Sequence, residues 1–227
     1  MNAGQYKISL NKINRLLRKY SLTKEIPSSL GMKNVPTEDP DIESYASTYQ
    51  KAIDSFTYDL LLFDESFLKF SRSSDPKGQP EVIRYAYCQC PYEFISYEEY
   101  LESNGFFYFE VGEAFRGDYE QDLSEAPLRE LFNYIRYDYS GQGYQVGIHP
   151  ASHLHIGLTG SIRIPIEMVI TPYMFSLFVL KQCYYDRWSV LMMDAAFRGS
   201  VQTSKVSCSP LNIEEFADLD RTELYLV

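Results

Sequence analysis

The residues best suited to chemistry gather in one stretch, between Arg136 and Pro165. All three histidines of the 227-residue chain fall within seven positions of that stretch. Imidazole has an unperturbed pKa of about 6.5 and serves as acid, base or metal ligand, whereas guanidinium binds phosphate through paired hydrogen bonds. The stretch combines these groups with one carboxylate, in Arg136, Asp138, His149, His153, His155 and Arg163. This mixture predicts a functional site, and three hypotheses compete for it.

The first hypothesis is metal-independent cleavage of RNA, which needs no cofactor. His149 and His153 form the acid–base pair: one removes the proton of the 2′-hydroxyl, and the other protonates the leaving oxygen. Arg136 and Arg163 stabilise the charged phosphorane, and Asp138 orients an imidazole. The acidity of the whole chain opposes binding of free RNA, so this hypothesis expects a partner that delivers the substrate.

The second hypothesis is a metal site that holds zinc or another transition metal. His149, His153 and His155 are the expected ligands. Three imidazoles leave one position of the ion open for water. The His-x-His pattern on a strand favours this hypothesis, because alternation places His153 and His155 on the same face.

The third hypothesis assigns the histidines to structure. A histidine beside a proline turn, as in His149-Pro150, often donates to a main-chain carbonyl oxygen and so fastens neighbouring strands together. The chain would then be a non-catalytic interaction subunit of a larger assembly. Its 20 tyrosines, 14 phenylalanines and acidic balance fit a basic protein partner.

Strands of a meander must position these side chains. Alternating sequences predict strands at 133–139, 152–158 and 161–166. In the second of these, His153 and His155 point to one face while the intervening residues point to the other. Thr171 and Pro172 then begin an apolar helix, which is expected to run to about residue 187 and to pack on the sheet.

The remaining pattern predicts an α+β fold, in which an antiparallel β-meander carries helices mainly on one side. Helices are expected at 6–20 and 96–103, strands at 58–64, 67–71, 81–90 and 106–111, and a helical turn at 128–132. A chain of this length fits one domain. That domain, 1–227, divides into a helical N-terminal region (1–56), a sheet and helix core (57–190) and a C-terminal extension (191–227).

Composition narrows the classes of protein. A net charge of −10 argues against a surface that binds nucleic acid nonspecifically. The N-terminal sequence lacks the continuous apolar core of a signal peptide, and no window has the roughly 18 apolar residues of a membrane span. We therefore expect a cytoplasmic protein without a membrane partner. Cys88 and Cys90 form a C-x-C pair, which we interpret as ordinary reduced thiols.

Several blocks of the chain resemble one uncharacterised bacterial protein family. The blocks are HPASHLHIG (149–157), RIP (163–165), TPYMF (171–175) and the helix ending in Tyr184-Tyr185. The upstream DESFLKFS (64–71) and RYAY (84–87) are similar to earlier blocks of the family, so the resemblance covers roughly residues 55–190. The family signature is HPxSHL, a glycine, RIP, TPxxF and FY. It matches His149, Pro150, Ser152, His153, Leu154, Gly157, Arg163, Pro165, Pro172 and Phe175, whereas His155 falls where other residues are accepted. The family has no established activity. Its bacterial setting, and the similarity of RYD followed by histidines to small RNase toxins, imply a role in genome conflict or antiviral defence.

Overall fold

The computed structural model describes residues 1–25, 43–75, 80–93, 95–160, 162–212 and 214–222. Its helices are α1 (Ala3–Lys19), α2 (Tyr45–Asp54), α3 (Tyr97–Ser103), α4 (Tyr108–Val111), α5 (Arg116–Ser124), α6 (Pro172–Cys183), α7 (Tyr185–Leu191), α8 (Ala195–Gln202) and α9 (Asp218–Thr222). Its strands are β1 (Thr23–Glu25), β2 (Leu60–Leu62), β3 (Phe67–Ser74), β4 (Pro80–Cys88), β5 (Tyr134–Ser140), β6 (Ser152–Ile156), β7 (Ile162–Pro165), β8 (Met168–Val169) and β9 (Ser209–Pro210). A 3-10 turn covers Lys205–Ser207.

Strands β1 to β7 form one sheet in which each strand pairs with its neighbour in sequence. Every pairing is antiparallel. This arrangement confirms the predicted α+β fold and its β-meander. Strand β7 lies at the edge of the sheet, which suits Pro165 because proline has no N–H to donate to a further strand. Strands β8 and β9 pair separately.

The hydrophobic core covers one face of the sheet. Leu68 and Phe70 of β3, Tyr85 and Tyr87 of β4, and Tyr137 of β5 are almost fully buried there. Helices α1 and α6 lie over this face and touch each other: the Tyr173 amide donates to Oγ of Ser9 at 2.8 Å. Burying such aromatic side chains removes a large apolar area from water, so this face supplies most of the stability.

Helix α6 begins as its sequence predicts and ends earlier. The Oγ1 of Thr171 accepts from the Met174 amide at 3.2 Å, with Pro172 in the first turn. The helix stops at Cys183 instead of about residue 187, because Tyr184 leaves the helical conformation. Its hydroxyl donates to Asp64 at 2.9 Å and lies 2.9 Å from the hydroxyl of Tyr87. These side-chain contacts fix the break before α7.

The chain divides into two compact units. The large unit contains Met1–Gln89 and Asn133–Val227, and the inserted unit is Cys90–Phe132. The inserted unit follows β4 and precedes β5, which are neighbouring strands. It contains α3, α4 and α5, around a small core of Tyr97, Leu101 and Tyr119. The single-domain organisation stays a prediction.

Two local predictions in the inserted unit are wrong. The predicted strand at 106–111 is absent, and Tyr108–Val111 form the short helix α4, because the segment lies between Gly105 and Gly112, both with positive φ, and pairs with no strand in the described part of the chain. Strand propensity without a neighbouring strand is a weak preference. Residues 128–132 form no helical turn, because the Arg129 amide donates to the carbonyl of Pro91 at 2.8 Å and Leu128 bridges to Tyr92.

In the described residues, every helix is too short or too polar to cross a membrane.

Candidate functional site

The side chains that alternate away from the core form what we call the polar face of the sheet. Its members come from four adjacent strands: Arg84 of β4, Arg136 and Asp138 of β5, His153 and His155 of β6, and Arg163 of β7. The register places Asp138 opposite both Arg84 and His153. It also places His155 opposite both Arg136 and Arg163. Directly opposite residues on one face have Cβ atoms about 5 Å apart, so these side chains are neighbours.

Asp138 is the anionic centre of the polar face. Its Oδ1 accepts from Nε of Arg84 at 2.8 Å, and its Oδ2 accepts from Nε of Arg136 at 2.8 Å. A second Arg136 nitrogen lies 2.8 Å from the same Oδ2. Burial raises the pKa of Asp138, but the contact with His155 and the two guanidinium groups outweigh burial and hold that pKa well below its usual range. Asp138 is therefore ionised at neutral pH.

His153 and His155 form a buried imidazole pair beside this carboxylate. Each residue is only 3% exposed. Their Nε2 atoms lie 2.9 Å apart, and Nε2 of His155 is 3.3 Å from Oδ2 of Asp138. The Nδ1 of His153 is 3.0 Å from the carbonyl oxygen of Pro150, and the Nδ1 of His155 is 3.1 Å from that of Gly160. Both rings are thus held at two points.

The carbonyl contacts decide which ring nitrogen carries the hydrogen. A carbonyl oxygen can only accept, so each imidazole must donate through Nδ1–H. Two neutral rings then present the lone pairs of their Nε2 atoms to each other, with the Asp138 carboxylate beside them. The two Nε2 lone pairs and the carboxylate oxygens repel one another unless a cation lies between them. That cation is either a proton, which makes one ring imidazolium, or a metal ion held by the three side chains.

The environment disfavours the proton on His153. Burial lowers the pKa of His153 to about 4, and the charge of His155 acts in the same direction. A metal-ligating imidazole usually donates its other ring N–H to a carboxylate or a main-chain carbonyl, and the Nδ1 contact of His153 with Pro150 fits this arrangement. The Nε2 atoms of His153 and His155 and one Asp138 oxygen lie within 4.8 Å of one another, close enough to ligate one ion.

His149 lies next to this group without joining it. Its ring centroid is 5.0 Å from that of His153, with the ring planes almost perpendicular. Its Nδ1 is buried and has no hydrogen-bond partner in the described structure. The loop that carries His149 is fixed by Asp220, which accepts from the Gly147 amide at 2.9 Å and from the hydroxyl of Tyr144. His149 is thus a positioned imidazole that does not contact Asp138.

Arg163 is the exposed cation of the polar face. It lies opposite His155 on the edge strand β7. Its guanidinium makes no hydrogen bond or ion pair with any other described residue. Arg84 and Arg136 are committed to Asp138, so Arg163 is the arginine of the predicted set that can meet a ligand from solvent.

The structure brings together most of the residues that the sequence singled out, and it adds one. Arg136, Asp138, His155 and His153 are connected by successive contacts, while His149 and Arg163 lie beside them. Sequence reasoning missed Arg84, which pairs with Asp138 across 54 positions of sequence. The signal was its place in β4, where a charged residue alternates with the buried Ile83 and Tyr85. The sequence predicted His149, His153 and His155 as metal ligands. The structure instead brings His153 and His155 together with Asp138.

A family comparison covers nearly the whole chain, including every residue of the polar face. The model of the DUF2290 family, described as "Uncharacterized conserved protein (DUF2290)", matches residues 13–216. The chain belongs to this family. Comparisons with curated proteins and with solved structures gave no significant match.

Proposed function

We propose that this DUF2290 protein is a metal-dependent enzyme, with its metal on the polar face and a phosphodiester, RNA in first place, as its substrate. The observation that carries the proposal is the pair of facing Nε2 atoms in His153 and His155, 2.9 Å apart, whose Nδ1 atoms are both occupied by carbonyl oxygens. Asp138 supplies the third ligand.

Zinc or a similar transition metal fits this donor set. Two imidazoles and one carboxylate are common ligands of catalytic zinc, and they leave one position for water. With their Nε2 atoms 2.9 Å apart, His153 and His155 would both be able to hold the same ion, together with Asp138. Arg84 and Arg136 donate hydrogen bonds to the carboxylate and orient it, as second-shell groups do.

The cations support an anionic substrate. A metal ion on the polar face would add positive charge beside Arg84, Arg136 and Arg163. Arginine is suited to phosphate because its planar guanidinium donates two parallel hydrogen bonds. The metal would lower the pKa of its bound water and so provide a nucleophile near neutral pH. Arg163 would bind the phosphate, and His149, whose ring makes no hydrogen bond with any described residue, would exchange protons at the reacting group.

The first experiment measures metal in the purified chain by elemental mass spectrometry. We expect about one transition-metal ion per chain. His153→Ala and His155→Ala should lower this to background, and circular dichroism should show that they stay folded. His149→Ala is the matched control, because it removes an imidazole 5.0 Å from the His153 ring without removing a ligand. A folded wild-type chain that takes up neither zinc nor cobalt would overturn the proposal.

The second experiment measures cleavage of an RNA oligonucleotide by the metal-loaded chain. Arg163→Ala should keep the metal and reduce kcat/KM by about a hundredfold, the order expected for loss of a charge-stabilising donor. A chelator should abolish cleavage. Cleavage that persists in chelator and is lost in His149→Ala would favour the metal-independent mechanism. That mechanism has less support, because both ring nitrogens of His153 are engaged and its pKa is lowered to about 4.

A structural role is the second candidate, and the burial of the two imidazoles favours it. At 3% exposure each, His153 and His155 are placed like groups that fasten β6 to its neighbouring loops. The cation between them would then be a shared proton, and the chain would act as an interaction subunit. This candidate predicts a metal-free protein in which His153→Ala lowers the stability, while wild type and variant behave alike in the RNA cleavage assay. Toxicity on expression in bacteria that His153→Ala removes without unfolding would favour catalysis, and it would suit the proposed setting in genome conflict.

A further inference from the structure

The negative charge of the protein is concentrated in the inserted unit. Between Cys90 and Phe132 the sequence has eleven acidic and two basic side chains, which account for −9 of the net −10. The rest of the chain has 20 acidic and 19 basic side chains and is almost neutral. A field of one sign on so small a unit steers ligands of the opposite charge toward it.

The same unit contains a cavity whose lining suits a cation. Its volume is about 550 Å³, and its walls include the rings of Tyr100 and Tyr119 and the carboxylates of Glu93, Asp122 and Glu125. The two rings are 5.5 Å apart at 54°. Glu93 and Asp122 have no ion-pair partner among the described residues. Arg129, the one cation among the residues that line the cavity, donates from Nε to the carbonyl of Cys90 at 3.2 Å.

The tyrosines of this unit already bind one guanidinium. Arg116 lies 4.5 Å from the ring centroid of Tyr97 and 5.9 Å from that of Tyr119. Its Nε is 2.8 Å from Glu113. The ring faces attract cations through their quadrupole, and a carboxylate adds the ion pair. The cavity repeats these two components, tyrosine rings and carboxylates.

The same unit also exposes large apolar side chains to solvent. Phe107 is 51% exposed, Phe109 83% and Leu131 88%. Exposed apolar groups next to charge are typical of protein interfaces, where an apolar centre meets a polar rim.

We infer that the inserted unit docks a basic protein partner, and that its cavity receives an arginine or lysine side chain of that partner. An arginine fits best, because arginine both stacks on tyrosine rings and forms paired hydrogen bonds with carboxylates. The inference is independent of the metal centre, since it uses no residue of the polar face. The partner class follows from charge complementarity with the −9 of this unit.

The test uses the full chain and a fluorescent nona-arginine peptide, with binding followed by anisotropy at about 150 mM salt, where long-range attraction is screened. We expect saturable binding that Glu93→Gln combined with Asp122→Asn weakens at least about tenfold. Glu98→Gln combined with Glu102→Gln is the matched control. It removes the same charge from exposed positions of α3 that do not line the cavity, and it should weaken binding less than about twofold.

Equal weakening by both double variants would show attraction to net charge alone and would overturn the cavity assignment. Absence of binding to wild-type chain would overturn it as well. Sedimentation of the chain without peptide tests whether another copy of the chain occupies the cavity. Self-association that the Glu93→Gln, Asp122→Asn variant abolishes would assign the cavity to another copy of this chain and remove the case for a separate partner.

Discussion

Asp138 is the residue on which the charges of the polar face depend. It accepts from Arg84 and Arg136 and lies 3.3 Å from His155. Arg136 is 7% exposed, so removing this carboxylate takes the anion 2.8 Å away from a buried guanidinium. Removing one partner of a buried ion pair costs more than the pair itself contributes, because the remaining charge keeps its desolvation penalty.

Asp138→Asn should therefore lower the free energy of unfolding by about 3 kcal/mol, measured by urea denaturation in chelator so that metal binding does not contribute. The amide cannot neutralise two guanidinium groups, and its NH₂ would face one of them. Arg163→Gln is the control. It changes an exposed cation that forms no ion pair with the described residues, so its effect should stay within about 0.5 kcal/mol. Asp138→Asn with the stability of the wild type would contradict the account of this charge network.

At this scale the sequence was informative about side chains on one strand and silent about pairs across strands. Period-two alternation sufficed to place His153 and His155 on the same face. Their distance to Asp138 depends on the register of β5 and β6, which alternation does not determine. Arg84 shows the limit most clearly, because nothing in the sequence near it indicates an anion 54 positions later.

At the scale of elements, the turn between β6 and β7 controls one of the imidazoles. Gly160 in this turn has φ +60°, and its carbonyl accepts from Nδ1 of His155 at 3.1 Å. A left-handed backbone is strained for residues with a Cβ atom. The added Cβ would also lie 3.7 Å from that Nδ1, an ordinary contact, so the cost comes from the backbone.

Gly160→Ala should destabilise the chain by about 1 kcal/mol and lower its metal content, because relaxing the turn moves the carbonyl that orients His155. The matched control is Gly199→Ala within α8, where an added Cβ meets nothing within 4 Å. There alanine should stabilise by about 0.5–1 kcal/mol through helix propensity. Thermal unfolding and metal analysis of both variants decide the question. Equal behaviour of the two variants would mean that the turn has no role in the site.

Helices with a capping residue in the sequence could be predicted, whereas a segment whose structure depends on a neighbouring strand could not. Helix α3 begins at Ser96, whose Oγ accepts from the Glu99 amide at 3.2 Å, and this cap is legible in the sequence. Residues 106–111 have aromatic strand propensity, yet a strand needs a neighbour to pair with. Since the flanking glycines turn the backbone away, the segment closes into α4. Propensity is overridden where tertiary structure supplies no partner.

At the scale of the whole molecule, the division into two units shows where the net negative charge of the chain lies, a charge that is unfavourable for binding an anionic substrate. Net acidity argued against an anionic substrate when it was counted over the whole chain. The structure assigns nearly all of it to the inserted unit, whose boundaries at Cys90 and Phe132 emerge only from contacts. The large unit, which contains the polar face, carries a net charge of −1 and so by itself adds no strong repulsion for phosphate.

The connection between the units suggests that the large unit folds without the insertion. Gln89 and Asn133 flank the insertion and are hydrogen-bonded to each other, with the Gln89 amide 3.2 Å from the Asn133 carbonyl and the Asn133 amide 2.7 Å from Oε1 of Gln89. They extend the antiparallel pair of β4 and β5 by one step beyond Cys88 and Tyr134. Replacing 90–132 by Asn-Gly would thus close a two-residue hairpin of the favoured type.

The shortened chain should unfold cooperatively in urea, keep the metal content of the full chain and lose binding of the nona-arginine peptide. Each result has a separate cause: β4 and β5 stay paired, the polar face is intact, and the carboxylates of the cavity are gone. The full chain carrying Glu93→Gln and Asp122→Asn is the matched control, since it should lose the peptide while keeping the insertion. A shortened chain that fails to fold would make the inserted unit part of the core, and one that keeps the peptide would move the basic-partner surface elsewhere.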